Sequence, residues 1–482
     1  MTQQQVCQTQ WPVRGISLDM TENCSLRCGY CFCGEKTTAD IDEETARGAI
    51  DWLLSSEVSG DTRDLTVDLW GGEPTLRWDF ARDLIIWGNR RAQNFGKRIH
   101  WNMTTNGVHW DERLAADAAL GNVSFMLSLD GTKETQDKYR PLRGGGSSYD
   151  RIVANLPNMR MARPNLRVRM TVREDNVQSM YRDVLHLHSL GFQEISHCLV
   201  HESAWTHESM VELEKQFRLI ADYYIEQKRR GDTRLWIKWI DEGIGRLLYP
   251  RPLSYFCGAG RTYLSVSVHG VIYPCHRFHE FLDDRPWQEQ PWALGTVAEG
   301  VQRMDKRQWF LDANQQLHHC KGCALALAGA CSGSCYAVNA VKSGGDIYVP
   351  AHSQCTEQRM IYGISRYVYE QLINEPSFKP TLARAARGRF ANARQCVEPR
   401  IEPEVNVVQA AAAGTAAELD VLGAALRTMQ EAVAAIQDVA TTGISERQWR
   451  MAMLGEVAAS RATCGDKDGD VDGGNGCKAG AC

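Results

Sequence analysis

The chain has 482 residues and a formal net charge of −5, with hydrophobic and charged fractions of 43% and 23%. These values are ordinary for a globular protein of one to four domains, and the absence of a basic balance argues against a nucleic-acid partner. No apolar run approaches a membrane span, and the N-terminus lacks the charged and apolar regions of a signal peptide. We therefore expect a cytoplasmic protein that does not contact a membrane.

Strands and helices alternate along the first 200 residues, after a tail of residues 1–12. Period-2 and buried apolar runs predict strands at Gly15–Asp19, Leu65–Trp70, Ile99–Thr104, Val123–Ser128, Leu166–Val172 and Glu194–Val200. Helical periodicity fills the gaps at Glu43–Leu54, Trp78–Arg91, Tyr149–Met161 and Ser179–Leu190. This alternation predicts parallel βαβ units in an α/β fold.

Seventeen cysteines are spread unevenly: five precede residue 34, one lies between 34 and 256, seven lie between 257 and 355, and four lie at or after 396. Cytosolic thiols stay reduced, so disulfides explain them poorly, and short fixed spacings indicate metal or iron–sulfur ligation instead. Directly after the first strand come Cys24, Cys28 and Cys31. Three thiolates on one loop can hold three irons of a [4Fe–4S] cluster and leave the fourth open. The alternative is structural zinc, which prefers paired cysteine knuckles.

The second predicted strand runs directly into Gly71-Gly72-Glu73-Pro74. This turn and the cysteine loop together resemble the radical S-adenosylmethionine superfamily. The resemblance implies a partial (β/α)6 TIM-like barrel over residues 13–200, with ligands at the carboxyl ends of the strands. It implies that Glu73 supplies an anion for the amino group of the cofactor's methionine end. The catalytic cluster ligands would be Cys24, Cys28 and Cys31, and the S-adenosylmethionine contacts would be Gly71, Gly72, Glu73, Pro74, Thr105, Asn106 and Ser128. Asp130 is either a proton relay or a turn residue.

A second cysteine array follows a segment of bridging helices, residues 201–256, in which Met210–Lys228 carries the helical signal. Its cysteines flank a predicted hairpin at His269–Gly270 and are Cys257, Cys275, Cys320, Cys323, Cys331, Cys335 and Cys355. This order, within residues 257–375, resembles the SPASM domain, the auxiliary-cluster module of radical enzymes that modify peptides. Seven residues separate Cys323 from Cys331, where five is the common family value. A pair of zinc ribbons is the alternative, although seven cysteines do not divide into two four-cysteine sites.

The SPASM resemblance implies two auxiliary [4Fe–4S] clusters. The outer cluster would be held by Cys320, Cys323, Cys331 and Cys355, and the inner one by Cys257, Cys275 and Cys335. The inner cluster is then one protein ligand short. Cys198 or Cys396 would complete it, or the site stays open for a substrate thiolate.

Three segments of the second array carry a further resemblance: Cys257–Gly260, Tyr273–Phe278 and Cys331–Asn339. They resemble maturases that form thioether crosslinks, namely the SCIFF-type maturases and the maturase of quinohemoprotein amine dehydrogenase. The resemblance implies a radical peptide maturase that makes a 5′-deoxyadenosyl radical and installs a crosslink, most plausibly a cysteine thioether. Carbon–carbon crosslinking, sulfatase-maturase-like oxidation of one serine or cysteine, and a non-catalytic iron–sulfur scaffold remain as alternatives. The implied partners are a peptide or small protein substrate, a separate leader-binding protein, and an electron donor such as flavodoxin or ferredoxin.

The remaining residues divide into a linker over 376–403, a helical extension over 404–463 and a tail over 464–482. Leu419, Leu422, Leu426, Met429 and Val433 recur at helical intervals in the extension, which predicts an amphipathic helix. The tail is rich in glycine, aspartate and cysteine and is expected to be disordered. Its composition also suggests a tethered, substrate-like segment.

Overall fold

The computed structural model describes residues 11–34, 36–121, 123–250, 257–279, 285–313, 320, 322–331 and 333–386. The predicted helical extension, the tail and Cys396 lie outside these residues. None of the described helices is both long enough and apolar enough to cross a membrane.

The described strands form one sheet of eleven, in the order β11-β10-β9-β8-β1-β2-β3-β4-β5-β6-β7. Strands β1 to β6 are parallel to their neighbours, which confirms the six predicted strands and their direction. The strands are β1 Gly15–Thr21, β2 Asp64–Gly71, β3 Arg98–Thr105, β4 Ser124–Ser128, β5 Arg167–Val172, β6 Glu194–Leu199, β7 Trp236–Ile237, β8 Tyr263–Val266, β9 Val271–Tyr273, β10 Gly295–Thr296 and β11 Gly300–Val301.

Helices connect successive strands, and each predicted barrel helix is present. The described helices are α1 Glu43–Leu54, α2 Ser56–Ser59, α3 Trp78–Asn94, α4 Glu112–Leu120, α5 Lys133–Tyr139, α6 Ser148–Ala162, α7 Met180–Ser189, α8 His207–Arg229, α9 Lys238–Leu248, α10 Met304–Leu311, α11 Ala324–Leu327, α12 Tyr336–Ser343 and α13 His352–Leu372. The start of α1 is capped by Asp42, whose side chain accepts a hydrogen bond from the amide of Thr45 at 2.7 Å. Such caps satisfy amides that have no partner inside the helix.

All seven residues of β1 are buried, as expected of a parallel strand covered on both faces. Because side chains alternate along a strand, Ile16, Leu18 and Met20 form an apolar row within the main core. The opposite row is polar: Ser17, Asp19 and Thr21. Ser17 Oγ donates to Ser265 Oγ of β8 at 2.5 Å, which places the polar side chains of the two paired strands on the same face of the sheet.

The predicted hairpin at His269–Gly270 is present, with β8 and β9 antiparallel. It is also part of the barrel sheet, since β8 pairs in parallel with β1 from Gly15↔Tyr263 to Leu18↔Val266. The region of the second cysteine array is therefore hydrogen-bonded to the strand that leads into the first array.

The bridging helices are α8 and α9, as the helical signal predicted. Phe217 of α8 stacks on Trp239 of α9 with ring centroids 4.3 Å apart, and both rings belong to the main core. These helices and α13 cover the far edge of the sheet, where the short strand β7 adds to β6 in parallel.

A buried ion network joins β6 to α13, the helix that carries Cys355. Glu357 accepts hydrogen bonds from His197 Nε2 at 2.8 Å and from His201 Nε2 at 3.0 Å, and His201 Nδ1 lies 3.0 Å from Ser353 Oγ. Burial opposes ionisation of Glu357, but the hydrogen bonds and charges of the two histidines outweigh it and hold its pKa at about 2. The network fixes the last helix of the described fold against the barrel.

We predict that Glu357→Gln lowers the free energy of unfolding by about 2–4 kcal/mol, because one acceptor is lost from a buried charged network. Glu370→Gln is the matched control on the same helix, since its pair with Arg366 is exposed and is expected to change stability by less than about 0.5 kcal/mol. Anaerobic urea denaturation measures both.

A carboxyl group with a lowered pKa stabilises the fold above its ordinary pKa of 4.5 and loses that contribution as the pH falls toward 2. The difference between wild type and Glu357→Gln is therefore largest at neutral pH and shrinks below pH 4.5. Equal free energies of unfolding for wild type and Glu357→Gln at neutral pH would contradict the stabilising role of Glu357 in this network.

Candidate active site

The first three cysteines lie on the loop that follows β1. The Cys24 side chain is buried, and Cys28 and Cys31 are partly buried. Burial raises the pKa of Cys28 to about 12, with further contributions from the nearby charges of Cys31 and Cys24. A hydrogen bond from Cys33 and the neighbouring Lys36 lower the pKa of Cys31. The structure therefore brings the three predicted thiols together at the carboxyl end of the first barrel strand.

The loop is tied to the segment between α5 and α6 by backbone hydrogen bonds. Arg27 N donates to Pro141 O at 2.9 Å, and Gly29 N donates to Tyr139 O at 3.1 Å. In the other direction, Arg143 N donates to Ser25 O at 2.9 Å. These contacts fix the loop from both sides of Cys28.

Asp130 holds the loop through a buried charged network. Its Oδ1 lies 3.0 Å from Arg140 Nε and 2.8 Å from the amide of Thr171, which donates to it. The hydroxyl of Tyr30, which stands between Cys28 and Cys31, donates to Oδ2, and the Arg140 guanidinium lies over the Tyr30 ring. Of the two roles that the sequence left open for Asp130, these contacts favour the structural one, since its oxygens are already engaged.

The Gly-Gly-Glu-Pro turn follows β2 directly. Glu73 is 1% exposed and accepts hydrogen bonds from Thr75 Oγ1 at 2.6 Å and Thr105 Oγ1 at 2.7 Å. It also accepts from the amides of Thr75 at 3.2 Å and Asn106 at 2.6 Å. Burial raises the pKa of Glu73, and these four donors lower it in part. Glu73 thus links the turn after β2 to the Thr-Asn-Gly turn after β3.

Gly71 and Gly72 lie close to the cysteine loop. A Cβ built on Gly72 would overlap the carbonyl oxygen of Asn23, and Gly71 has a φ of +126° with no room for a Cβ beside Asp19. Asn106 Nδ2 lies 3.6 Å from Cys24 Sγ. Ser128 is buried at the end of β4. The predicted contact residues after β2, β3 and β4 therefore lie at the same end of the sheet as the cysteine loop.

The downstream cysteines fall into two spatial groups. The thiol of Cys275 has a raised pKa because of burial and then because of the charges of Cys335 and Cys257, so these three are neighbours. In the other group, burial and the charges of Cys355, Cys331 and Cys323 raise the pKa of Cys320 to about 11. The same residues were assigned to an inner and an outer set by the resemblance, and their role as cluster ligands stays a prediction. Cys198, on β6, lies near Arg277 and Cys335.

Sequence reasoning assigned no role to Asp19, Lys36, Arg140 or Glu357. The one available signal for Asp19 was an acidic residue inside an otherwise apolar predicted strand. The contacts of Arg140 and Glu357 come from distant segments, and no local pattern indicated them.

The donor set fits iron–sulfur clusters. Thiolates are the ordinary ligands of such clusters. Among the described residues, no three His, Cys, Asp or Glu side chains lie close enough together to hold a single metal ion, so the ten cysteines are neighbours at the longer range over which their charges interact. The absence of a Cβ at Gly71 and Gly72 lets the turn after β2 lie directly against Asp19 and Asn23.

Comparison with known proteins agrees with this site. Residues 18–185 match the family model of the radical SAM superfamily, a segment that contains the first three cysteines and the Gly-Gly-Glu-Pro turn. Residues 18–185 are therefore a radical SAM domain, the mark of a class of enzymes that use S-adenosylmethionine and an iron–sulfur cluster as cofactors.

Several curated proteins are similar to parts of the chain. An uncharacterized protein of Methanocaldococcus jannaschii is 23% identical over 264 residues, which are 55% of this chain and 85% of that protein. The sporulation killing factor maturation protein SkfB of Bacillus subtilis is 26% identical over 34% of this chain and 37% of its own length. A cysteine-type anaerobic sulfatase-maturating enzyme of Clostridium novyi is 29% identical over 28% of this chain and 37% of its own length. The chain thus spans little more than a third of the two named maturases.

A solved structure shares the fold over a longer stretch. Native anSMEcpe with bound AdoMet and the Cp18Cys peptide superimposes with a TM-score of 0.62 at 18% identity, covering 75% of this chain and 99% of that chain. The shared fold therefore extends beyond the radical SAM segment into the second cysteine region.

We predict that Arg140→Met destabilises the protein by about 3–5 kcal/mol, because it leaves Asp130 charged and buried without its counter-ion. Iron bound at the cysteine loop should fall as well, since Tyr30, which stands between Cys28 and Cys31, loses the guanidinium that lies over its ring. Anaerobic denaturation and iron determination measure the two effects.

The double variant Arg140→Met/Asp130→Asn should recover part of the lost stability, because the unpaired charge is removed with its partner. Arg182→Met is the control: its pair with Glu134 is exposed and contributes at most about 1 kcal/mol. A double variant no more stable than the single one would contradict the ion-pair account.

Proposed function

We propose that this enzyme is a radical S-adenosylmethionine peptide maturase that installs a crosslink, a cysteine thioether, in a ribosomally made peptide or small protein. The observation that carries the proposal is the arrangement of ten cysteines in three groups, one at the barrel end and two in a region joined to the barrel through β8. Support also comes from similarity to SkfB, a maturation protein for a killing factor.

In this proposal Cys24, Cys28 and Cys31 hold the catalytic [4Fe–4S] cluster. Cys320, Cys323, Cys331 and Cys355 hold the outer auxiliary cluster, and Cys257, Cys275 and Cys335 hold the inner one. The inner group keeps one position open for a substrate thiolate, with Cys198 as the internal alternative. S-adenosylmethionine binds along Gly71–Pro74, Thr105, Asn106 and Ser128.

Cys24, Cys28 and Cys31 would hold the cluster that supplies a 5′-deoxyadenosyl radical from S-adenosylmethionine, and Cys257, Cys275 and Cys335 would hold a cluster able to accept an electron. Forming a C–S bond from a thiol and a C–H group removes two hydrogens from the peptide. One leaves as a hydrogen atom that completes 5′-deoxyadenosine; the other leaves as a proton and an electron. The protein orients the reactants and excludes water from the barrel interior.

The downstream region also contributes charged side chains to this space. The Arg277 guanidinium lies near the thiols of Cys335, Cys198 and Cys275, and it pairs with Glu202. A fixed cation beside the inner group favours thiolate over thiol. Arg277 therefore suits a group that holds sulfur ligands or an incoming substrate thiolate.

Oxidation of a single serine or cysteine is the second candidate. The Clostridium novyi relative is a cysteine-type sulfatase-maturating enzyme, and this activity also removes two hydrogens. The two functions differ in the product, because only a crosslink ties two positions of the peptide together.

We expect reconstituted wild-type enzyme to form 5′-deoxyadenosine from S-adenosylmethionine and dithionite under anaerobic conditions, and Cys28→Ala to form none. Cys7→Ala is the matched control, since Cys7 lies in the N-terminal tail outside both arrays. Liquid chromatography with mass spectrometry measures the nucleoside. Wild type with full clusters that forms no nucleoside, with or without candidate peptides, would overturn the proposal.

Cys335→Ala should still form 5′-deoxyadenosine but fail to produce a crosslinked peptide, because the inner group loses a ligand while the barrel group stays intact. Tandem mass spectra of wild-type product should show a loss of two hydrogens and no backbone fragments between the joined residues. A loss of two hydrogens with complete fragmentation would favour the oxidation of a single residue.

A further inference from the structure

A cavity of about 550 Å³ lies between the loop that follows β6 and the amino-terminal ends of α8 and α13. Its volume is within the range of roughly 300–1,000 Å³ that is usual for ligand sites. The end of α12 completes its walls, so both the barrel and the second cysteine region contribute to it. None of the ten cysteines lines this cavity, which therefore lies outside the three cysteine groups.

The charge of the lining has one sign. Among the described residues that form it, none is an aspartate or a glutamate, and the ionisable side chains are those of Lys342, His201, His207 and His352. The chain as a whole has a net charge of −5, so a cavity lined in this way is not what the average composition would produce. A concave site with basic groups and no carboxylate favours a negatively charged occupant.

Lys342 is held in position by the chain. Its Nζ donates to the carbonyl oxygens of Glu202 at 2.9 Å and Ser203 at 3.2 Å. These oxygens fix the ammonium group without cancelling its charge, and an ammonium group has three donors. The third N–H of Lys342 and its positive charge are therefore suited to a carboxylate that enters the cavity.

The loop that Lys342 contacts is fixed by its own hydrogen bonds. Ser203 Oγ and Trp205 Nε1 both donate to the carbonyl oxygen of Val200, at 2.7 Å and 2.8 Å. Thr206 Oγ1 accepts from the amide of Ser209 at 3.2 Å and caps the start of α8. Because the wall is formed in advance, a ligand would not have to order this loop when it binds.

The other side of the cavity is the start of α13. His352 is the first residue of this helix, and the side chain of the cap residue, Ala351, makes no capping hydrogen bond. The partial positive charge at the start of the helix adds to that of Lys342. A histidine ring carries at least one N–H donor in either charge state, so His352 can donate to a carboxylate.

Apolar side chains separate these basic groups. They are Trp205, Met210, Val349 and Pro350. A small inorganic anion has no apolar surface to place against them, whereas a peptide has the methylene groups beside each carboxylate and the Cα positions of its backbone. The combination of apolar and basic lining therefore favours an acidic peptide over a free anion.

We propose that this cavity binds an acidic segment of a peptide, whose carboxylates are received by Lys342 and His352. That the peptide is the substrate rests on the proposed function. Since the cavity lies outside the cysteine groups, the acidic segment is a recognition segment and not the part of the peptide that is modified.

The test is a binding measurement on the reconstituted enzyme with oxidised clusters and without S-adenosylmethionine, so that no turnover is needed. The probe is a fluorescein-labelled pentapeptide of alternating aspartate and glycine, and the reference probe has asparagine in place of aspartate. Fluorescence anisotropy at low salt should show that the acidic probe binds at least about tenfold more tightly. Displacement of the acidic probe by an equal concentration of inorganic phosphate would overturn the choice of a peptide.

Val349→Asp places a carboxylate in the lining and should weaken binding of the acidic probe at least about tenfold, because like charges then face each other. Val211→Asp is the matched control, since Val211 is exposed on α8 and does not line the cavity. This control should bind the probe as wild type does. An equal loss in both variants would indicate attraction by net charge alone and would contradict the proposal.

Lys342→Gln should weaken binding of the acidic probe about two- to fivefold, the range of one solvent-exposed ion pair. Lys215→Gln removes the same charge from α8 outside the cavity, where Lys215 pairs with Glu212, and should leave the affinity unchanged. If Val349→Asp does not load its clusters, the comparison of Lys342→Gln with Lys215→Gln decides. Wild-type affinity in Lys342→Gln would overturn the proposal.

Iron content and the melting temperature are measured on the same samples and should match wild type, since Lys342 is exposed and Val349 is 38% exposed. The result is independent of the 5′-deoxyadenosine assay. An enzyme that forms no nucleoside would contradict the proposed function, and the anisotropy measurement would still decide whether the cavity binds acidic peptide.

Discussion

The double pairing of β1 is the constraint on which the rest of the structure depends. On one side β1 pairs with β2 of the barrel, and on the other it pairs with β8 of the downstream hairpin. Because β1 leads into the first cysteine loop and β9 leads into Cys275, the two arrays are held by one hydrogen-bonded sheet. Their relative placement is thus set by backbone register, which is more rigid than contact between two separately folded domains.

Buried carboxylates determine how distant segments meet in this fold. Asp130, Glu73 and Glu357 are all buried, and each is surrounded by donors or a counter-ion from distant segments. Such networks fix a single arrangement when every member is satisfied. Asp19 is equally buried, and its side chain lies against the backbone of Gly71 in the turn after β2.

The sequence predicted the elements whose signals are local. The six barrel strands, their helices and the hairpin followed from periodicity and turn residues, and the spacing of Cys24, Cys28 and Cys31 indicated the radical SAM class. The pairing of β8 with β1 was not predicted, because it joins residues about 250 positions apart. The roles of Arg140 and Glu357 were not predicted for the same reason, because their contacts come from distant segments.

The seven-residue interval between Cys323 and Cys331 contains the helical turn α11. Within it, Leu327 N donates to Cys323 O, and Cys331 N donates to Leu325 O. The chain therefore turns back on itself and keeps the two thiols close.

The protonation of the cysteine thiols affects iron binding. Burial raises the pKa of Cys28, Cys275 and Cys320, and the charges of neighbouring cysteines raise it further, so these three thiols hold their protons at neutral pH in the absence of metal. Iron binding then has to displace those protons, which links cluster assembly to pH. Cations lie beside the first and the inner group: Arg140 is near Cys28, Lys36 is near Cys31, and Arg277 is near Cys335 and Cys275. These charges favour the thiolate forms that bind iron, while the pairing of β1 with β8 holds together the segments that carry the two groups.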